Sequence, residues 1–114
     1  MSKQGFAILY KCKQAKAHDG SIMTEKGTPA WLTESEGYWW GQPFSEFYTP
    51  TVTRDSPPSS VIVFATREEA IEQFKAAREG NHIGAWYHTP SAEFEVIEVR
   101  QKFKQIPDGY EVIK

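Results

Sequence analysis

The sequence predicts an α+β fold: one domain over residues 1–114, in which a single helix packs on one face of an antiparallel or mixed β-sheet. Three observations lead to this prediction. A strong helix signal lies near residues 66–79, β-compatible runs precede and follow it, and proline and glycine interrupt the middle of the chain. A chain of 114 residues suits one domain and is large enough for an ordinary core without disulfides.

The composition agrees with a folded domain and excludes several classes of protein. Aromatic residues make up 14% and hydrophobic residues 39% of the chain, which argues against disorder. The formal net charge of −2 excludes both a polycation and an acidic mimic of nucleic acid. The single cysteine, Cys12, leaves no internal disulfide. Because no apolar run is long enough for a signal peptide or a membrane span, we expect no membrane partner and a cytoplasmic location.

The first element predicted along the chain is a strand at residues 6–13. It opens with the β-compatible run FAILY and continues as an alternation. The alternation places Tyr10 and Cys12 on one face and Lys11 and Lys13 on the other. We therefore expect Cys12 to be a small buried hydrophobe, which is the common fate of a free cysteine.

The middle of the chain predicts turns and irregular structure. Asp19-Gly20 is typical of a turn that leads into a short strand at 21–24. Residues 27–60 contain five of the seven prolines, so a regular helix is not expected there. We expect this stretch to be a long irregular segment with an edge strand at 49–53.

The clearest signals lie at residues 61–79. The run VIVFA at 61–65 predicts a strand buried on both faces, since it is continuous, apolar and rich in β-branched residues. Thr66 and Glu69 then form a capping box, which predicts that a helix begins there and extends to residue 79. Phe74 lies in the apolar stripe of this helix, and we expect it to face the core.

The last third of the chain predicts strands again. A short strand is expected at 85–88, and a long one at 93–104. The apolar parity of the long strand changes between Val96 and Ile97, which indicates a bulge. A proline–aspartate–glycine turn at 107–109 would then return the chain as the last strand.

Strong enzymatic motifs are absent from the sequence. There is no P-loop, G-x-G-x-x-G, H-E-x-x-H, paired C-x-x-C or G-x-S-x-G motif. A nucleophilic Cys12 and a metal site at His82 and His88 are less favoured than a buried cysteine and surface histidines. We therefore expect no catalytic residues, no cofactor and no metal, and favour a protein that is not an enzyme. One enzymatic alternative stays open: a small hydrolase or transferase with Glu34, Glu36 or Glu46 acting as a general acid in an aromatic cleft.

The most unusual local feature is the aromatic segment, residues 37–48. Trp and Tyr dominate interaction hot spots and base-stacking platforms. The predicted partner-binding residues are Tyr38, Trp39, Trp40, Phe44 and Tyr48. Because alternate residues of an extended chain face opposite sides, we expect Phe47 and one tryptophan inside. Tyr38, Tyr48 and the other tryptophan should then lie at the surface.

A second candidate surface is basic. Arg100, Lys102 and Lys104 alternate along the long strand and so project from one face, as do Lys11 and Lys13 on the first strand. If the two strands are neighbours, these side chains form a patch able to bind anions such as phosphates. This patch, together with stacking on the aromatic rings, is the basis of the alternative prediction, a single-stranded nucleic-acid-binding protein.

The pattern VIVFATREEAIEQF followed by EFEVIEV resembles small uncharacterised phage and prophage proteins. It consists of a buried strand, a capping box with an amphipathic helix, and another strand, and it spans about a third of the chain. The resemblance implies an accessory or inhibitor role, in which the protein binds and modulates a host or competing protein. We therefore expect a non-enzymatic binding module that engages a macromolecular partner, most readily a protein, through the aromatic segment.

Overall fold

A computed structural model describes residues 4–44, 52–80, 82–83, 89–103 and 107–113 of the chain. Within these ranges the secondary structure comprises one helix and seven strands. In chain order the elements are β1 (Gln4–Cys12), β2 (Ala15–Lys16), β3 (Ile22–Thr24), β4 (Pro29–Ser35), β5 (Tyr38–Pro43), α1 (Arg67–Glu79), β6 (Pro90–Phe103) and β7 (Pro107–Val112).

Five of the strands form one antiparallel sheet in the order β5-β4-β1-β6-β7, and β2 pairs with β3 in a separate short ribbon. The predicted α+β class is therefore confirmed. The first strand and the long C-terminal strand are neighbours, which was the condition for the basic patch, with Tyr10 opposite Phe94 and Gln4 opposite Arg100. The ribbon confirms the short strand expected near residues 21–24.

Strand β1 is the centre of the fold because both of its faces are buried. Its even-numbered residues from Ile8 to Cys12 point towards α1, on what we call the helix face of the sheet. Ala7 and Leu9 point the other way, towards residues 52–63, on what we call the loop face. A strand covered on both sides must be apolar at consecutive positions, which is what the FAILY run provides.

Helix α1 covers the helix face and begins where the capping box predicts. The Thr66 hydroxyl accepts a hydrogen bond from the Glu69 backbone N–H at 3.0 Å, which satisfies one free donor of the first turn. The helix buries Ala70, Phe74 and Ala77. The Phe74 ring lies 5.6 Å from the Tyr10 ring and 4.8 Å from the Phe94 ring, measured between centroids.

Two arginines attach one flank of α1 to strand β6. The Arg67 guanidinium donates to the Val96 carbonyl at 3.2 Å and lies 5.3 Å from the centroid of the Phe6 ring. In the last turn of the helix, Arg78 donates to the Ser91 carbonyl at 3.4 Å. These contacts hold one flank of the helix against β6, and the opposite flank faces β5.

The prediction of a regular strand at 61–65 is wrong in form, although the segment is largely buried. Residues 60–64 make isolated bridges to two strands at the point where β1 and β4 no longer pair with each other. Phe6 and Phe64 exchange both backbone hydrogen bonds at 2.8 Å, and the Ile62 N–H donates to the Leu32 carbonyl at 3.0 Å. The run satisfies its backbone by joining two separated strands and forms no ladder of its own.

The prediction of a long irregular segment at 27–60 is wrong for its first part, which is the β4–β5 hairpin. Pro29 begins β4 and Pro43 ends β5, and these terminal positions tolerate a missing N–H. A two-residue turn joins the strands, with positive φ at both Glu36 (53°) and Gly37 (84°). The edge strand expected at 49–53 lies mostly outside the described residues.

The bulge predicted between Val96 and Ile97 is also wrong. Residues 94–100 pair with β1 in continuous register. Val96 packs on the helix face and Ile97 on the loop face, so the change of parity reflects a strand covered on both sides. The predicted turn at 107–109 is instead part of β7, and the expected pairing of this last strand with β6 is confirmed. The strand expected at 85–88 lies outside the described residues.

Replacing Phe74 by alanine tests the helix-face core. We expect Phe74→Ala to lower the free energy of unfolding by about 3 to 5 kcal/mol, because a wholly buried ring in contact with two others leaves a cavity. Lys75→Ala, at the adjacent exposed position, should change it by less than about 0.5 kcal/mol. Urea melts measure both values, and a neutral Phe74→Ala would contradict the assigned core.

Replacing Gly5 by alanine tests the bridge between β1 and residues 60–64. A Cβ at position 5 would lie 2.4 Å from Val63 Cγ1 and 2.5 Å from the Phe64 carbonyl oxygen. Since a backbone atom cannot move aside freely, we expect Gly5→Ala to cost about 1 to 3 kcal/mol. Gln4→Ala, at the exposed neighbouring position, should stay within about 0.5 kcal/mol. Equal melting of the two variants would show that the close approach does not limit stability.

Candidate partner-binding surface on strand β5

Strand β5 lies at one edge of the five-stranded sheet and carries three consecutive aromatic side chains. Tyr38 is 68% exposed and Trp40 is 40% exposed. Trp39, between them, is half-buried, and its ring meets the Phe64 ring edge-on at 5.9 Å between centroids. One tryptophan therefore lies inside and the other at the surface together with Tyr38, as the alternation predicts.

The pairing with β4 explains which ring goes where. Glu34 is opposite Trp39, so the Trp39 ring lies on the helix face, where it packs against the core beside α1. Thr33 is opposite Trp40, and its hydroxyl donates to the Trp40 carbonyl at 2.9 Å. Tyr38 and Trp40 share the loop face at the edge of the sheet, and the strand that presents them is held by a buried threonine and a packed indole.

The other predicted members of the aromatic site do not join this exposed pair within the described residues. Phe44 is half-buried and packs against the loop-face core together with Val52 and Val63. Tyr48 and Phe47 lie outside the described residues. Trp31 was not among the predicted site residues, and it is wholly buried, with its indole N–H donating to the Thr53 carbonyl at 2.9 Å.

A groove separates the start of β5 from the flank of α1 that faces it; we call it the β5–α1 groove. Its volume is about 430 Å³. It is lined by Gly37, Tyr38, Trp39, Gln73, Ala76, Ala77 and His82. The sequence did not reveal this groove, because its two walls are more than thirty positions apart in the chain and only the packing of α1 on the sheet brings them together.

Arg100 and Lys11 do not come together as the predicted basic patch requires. Although β1 and β6 are neighbours, Arg100 lies opposite Gln4 and Lys11 is seven positions further along β1. That separation is about 23 Å at about 3.3 Å per residue. The side chains of Arg100 and Lys11 also lie on opposite faces of the sheet. Arg100 shares the helix face with its partner Gln4, and Lys11 lies on the loop face of β1. Antiparallel pairing thus places the two cations at opposite ends and on opposite faces, which the sequence alternation could not indicate.

Two cations of the predicted patch, Arg100 and Lys11, have acidic neighbours. Arg100 Nε donates to Glu111 Oε1 at 2.7 Å, and Lys11 Nζ lies 3.5 Å from Glu93 Oε2. Lys13 is exposed beyond the end of β1. The side chains of Lys102 and Lys104 lie outside the described residues.

A second, smaller cavity of about 260 Å³ lies beside Lys11 and Glu93 on the loop face. Arg54 forms a bidentate ion pair with Glu95 in this cavity, and both N···O distances are 2.6 Å. The hydrogen bonds from this guanidinium hold the pKa of Glu95 below its ordinary value. Because each cation in this cavity has a carboxylate beside it, the cavity is not an attractive site for a phosphate.

Glu34 and Glu36, two of the carboxylates proposed for an enzymatic cleft, do not line the β5–α1 groove. Glu34 and Glu36 are exposed, and Glu46 lies outside the described residues. His82 lines the groove, and His88 lies outside the described residues. Within the described ranges no three histidine, cysteine or acidic side chains converge as metal ligands. The geometry therefore offers no observation that favours the hydrolase or transferase alternative.

Cys12 is wholly buried on the helix face, as the strand alternation predicts. Burial raises the pKa of the Cys12 thiol to about 11, and it also raises the pKa of the neighbouring Tyr10 hydroxyl. Since the thiolate is the reactive form, the burial of Cys12 and its raised pKa both work against a nucleophilic role.

No helix in the described part of the chain is long and apolar enough to cross a bilayer.

Comparisons with known proteins do not assign this chain to a family. No protein-family model, no curated protein and no solved structure matches it. The likeness to phage-type accessory proteins therefore stays an expectation from the sequence pattern. Any function has to be argued from the site itself.

Thiol labelling tests the environment of Cys12. At pH 8 we expect iodoacetamide to label native Cys12 at least about 100-fold more slowly than the denatured chain, since a pKa near 11 rather than 9 leaves a hundredfold fewer thiolates. A Cys12→Ser, Met23→Cys variant is the matched control, because position 23 is exposed. Labelling of native Cys12 as fast as the control would contradict the burial.

Proposed function

We propose that this domain is a non-enzymatic binding module that engages a protein partner through the exposed rings of Tyr38 and Trp40 on strand β5. The observation that carries the proposal is the exposure of these two rings, 68% and 40%, side by side on an edge strand. Large aromatic side chains left in water are a solubility cost, and Trp and Tyr are the residues that most often dominate protein interfaces.

The rings are also presented by a rigid support, which favours binding. Trp39 packs against Phe64 and the Thr33 hydroxyl bonds to the Trp40 carbonyl, so the backbone between the rings is fixed on both faces. A preformed surface loses little conformational entropy on association. Tyr and Trp add large contact area with few rotatable bonds.

Charge favours a protein partner over single-stranded nucleic acid. A nucleic-acid platform combines stacking rings with basic side chains that follow the phosphates. In the hairpin that carries the rings, the charged side chains are the carboxylates Glu34 and Glu36, and they would repel a phosphate backbone. Arg100 and Lys11 lie on β6 and β1, on opposite faces of the sheet. The nucleic-acid alternative therefore has less support than the protein partner.

The sequence resemblance adds a biological context to this proposal. A small domain with no enzymatic motif and one exposed aromatic surface suits an accessory or inhibitor protein of phage type, which acts by occupying a surface of a host or competing protein. In that role the binding energy would come from a few central rings, with polar contacts around them.

Site-specific photocrosslinking tests the binding surface. We expect a benzoylphenylalanine at position 38 or 40 to capture the same protein from a lysate of the source cell. The crosslinker at position 92 on β6 or position 16 on β2 is the control, since both sites are exposed and lie on strands that do not adjoin β5. Capture at all four positions alike, or at none, would contradict the assigned surface.

Alanine variants then measure the contribution of each ring. With the captured protein, Trp40→Ala should weaken binding by about 2 kcal/mol or more, which is about 30-fold in Kd. Its free energy of unfolding should fall by only about 1 to 2 kcal/mol, because 40% of the residue is already exposed to water. Calorimetric titration and urea melts give the two numbers. Binding to oligonucleotides that weakens steeply with salt would instead support the nucleic-acid alternative.

A further inference from the structure

We propose that the β5–α1 groove binds a short basic segment of the protein partner and accepts one aromatic side chain of that segment between Trp39 and Ala76. This inference deepens the proposed function and rests on it, since it names the chemistry of the partner at the same strand. The inference is based on the groove and the charges around it, and the proposed function is based on the exposed rings of Tyr38 and Trp40.

The lining of the groove suits an aromatic side chain. The Trp39 indole and the small Ala76 and Ala77 side chains provide apolar surface, and Gln73 and His82 provide polar groups beside it. A volume of about 430 Å³ is within the range of pockets that hold small ligands, about 300 to 1,000 Å³. Apolar walls with a few polar groups are typical of sites that accept a single anchoring side chain.

The charge around the groove is acidic on both sides. On the hairpin side, Glu34 lies across from Trp39 and Glu36 precedes Gly37. On the helix side, exposed carboxylates precede two lining residues by one turn: Glu69 is four positions before Gln73, and Glu72 is four before Ala76. None of these four carboxylates forms an ion pair with a cation in the described part of the chain.

The basic residues at the two ends of α1 do not neutralise this charge. Arg67 and Arg78 lie on the opposite flank of the helix, where their guanidinium groups are bound to β6 carbonyls. Lys75, the remaining cation of the helix, is exposed and forms no ion pair with these carboxylates, so the groove flank carries carboxylates without a paired cation among the described residues. A partner segment with Lys or Arg on both sides of an aromatic anchor is complementary to this arrangement, whereas an acidic segment is repelled.

The groove lies on the helix face of β5, and the exposed rings lie on the loop face of the same edge strand. Tyr38 borders the groove and is also the more exposed of the two rings on β5. A partner that reaches around this edge of the sheet can therefore contact the exposed rings and place a neighbouring segment in the groove. Because both regions share Tyr38, the test must use residues that belong to the groove and not to the exposed pair.

Peptide titration followed by NMR provides this test. The probe is the peptide RKWKR with both ends capped, added to ¹⁵N-labelled full-length protein. We expect shifts of backbone amides at Gly37, Trp39, Gln73 and Ala76. Neither RKAKR, which lacks the aromatic anchor, nor EDWDE, which has the opposite charge, should produce these shifts.

Two variants separate the groove from the rest of the surface. Ala76→Arg places a cation and bulk in the groove and should weaken RKWKR binding about 10-fold or more, as expected for like charge and lost space at a small site. Ala92→Arg is the matched control, because Ala92 is an exposed alanine on β6 away from the groove, and it should leave binding unchanged. The double variant Glu69→Gln, Glu72→Gln should weaken binding about 5-fold and reduce its dependence on salt, as for any charge contact at a rim.

The outcomes are distinct from those of the proposed function. Equal shifts with EDWDE, shifts away from the groove, or no effect of Ala76→Arg would overturn this inference. So would an absence of any shift with RKWKR at millimolar concentration. If crosslinking at positions 38 and 40 still captured a protein, the proposed function would stand while the basic-segment inference fell. Groove-specific shifts without any crosslinked protein would support the groove as a site for basic segments, while the proposed function would fall.

Discussion

The burial of strand β1 on both faces is the constraint on which the rest of the structure depends. Tyr10 and its even-numbered neighbours need a cover on one side, and α1 provides it through Phe74. Leu9 and Ala7 need a cover on the other side, and residues 52–63 provide it. The described part of the chain contains one helix, and the layer on the opposite face is built from chain without regular structure.

An irregular layer holds its place only if its backbone and polar groups are satisfied, and here specific contacts do this. The Phe6–Phe64 bridge ties its end to β1, which Gly5 permits because it has no side chain in the way. The Trp31 indole N–H bonds to the Thr53 carbonyl, so a buried donor also fixes the loop. These contacts replace the ladder hydrogen bonds that a second sheet would have supplied.

The position of the candidate site follows from the same arrangement. Strand β5 lies two strands away from β1, and Tyr38 and Trp40 remain exposed at the edge of the sheet. On the helix face, α1 is attached to β6 by its two arginines, so its β5 flank stands apart from the hairpin and leaves the groove. The exposed rings and the groove thus both border Tyr38, because both covering layers are centred on the other strands.

The sequence by itself determined the local features that depend on neighbouring residues. The Thr66 capping box, the strand alternation that buries Cys12 opposite Lys11, and the split of Trp39 from Trp40 all follow from backbone geometry over a few positions. Only the tertiary structure decided which separated segments meet. The antiparallel register moved Arg100 and Lys11 to opposite ends and faces, the bridges to β1 and β4 turned the 61–65 run into a connector, and packing of α1 created the groove. The physical reason is that such long-range pairings depend on which segments bury the two faces of β1, and a local pattern does not specify those partners.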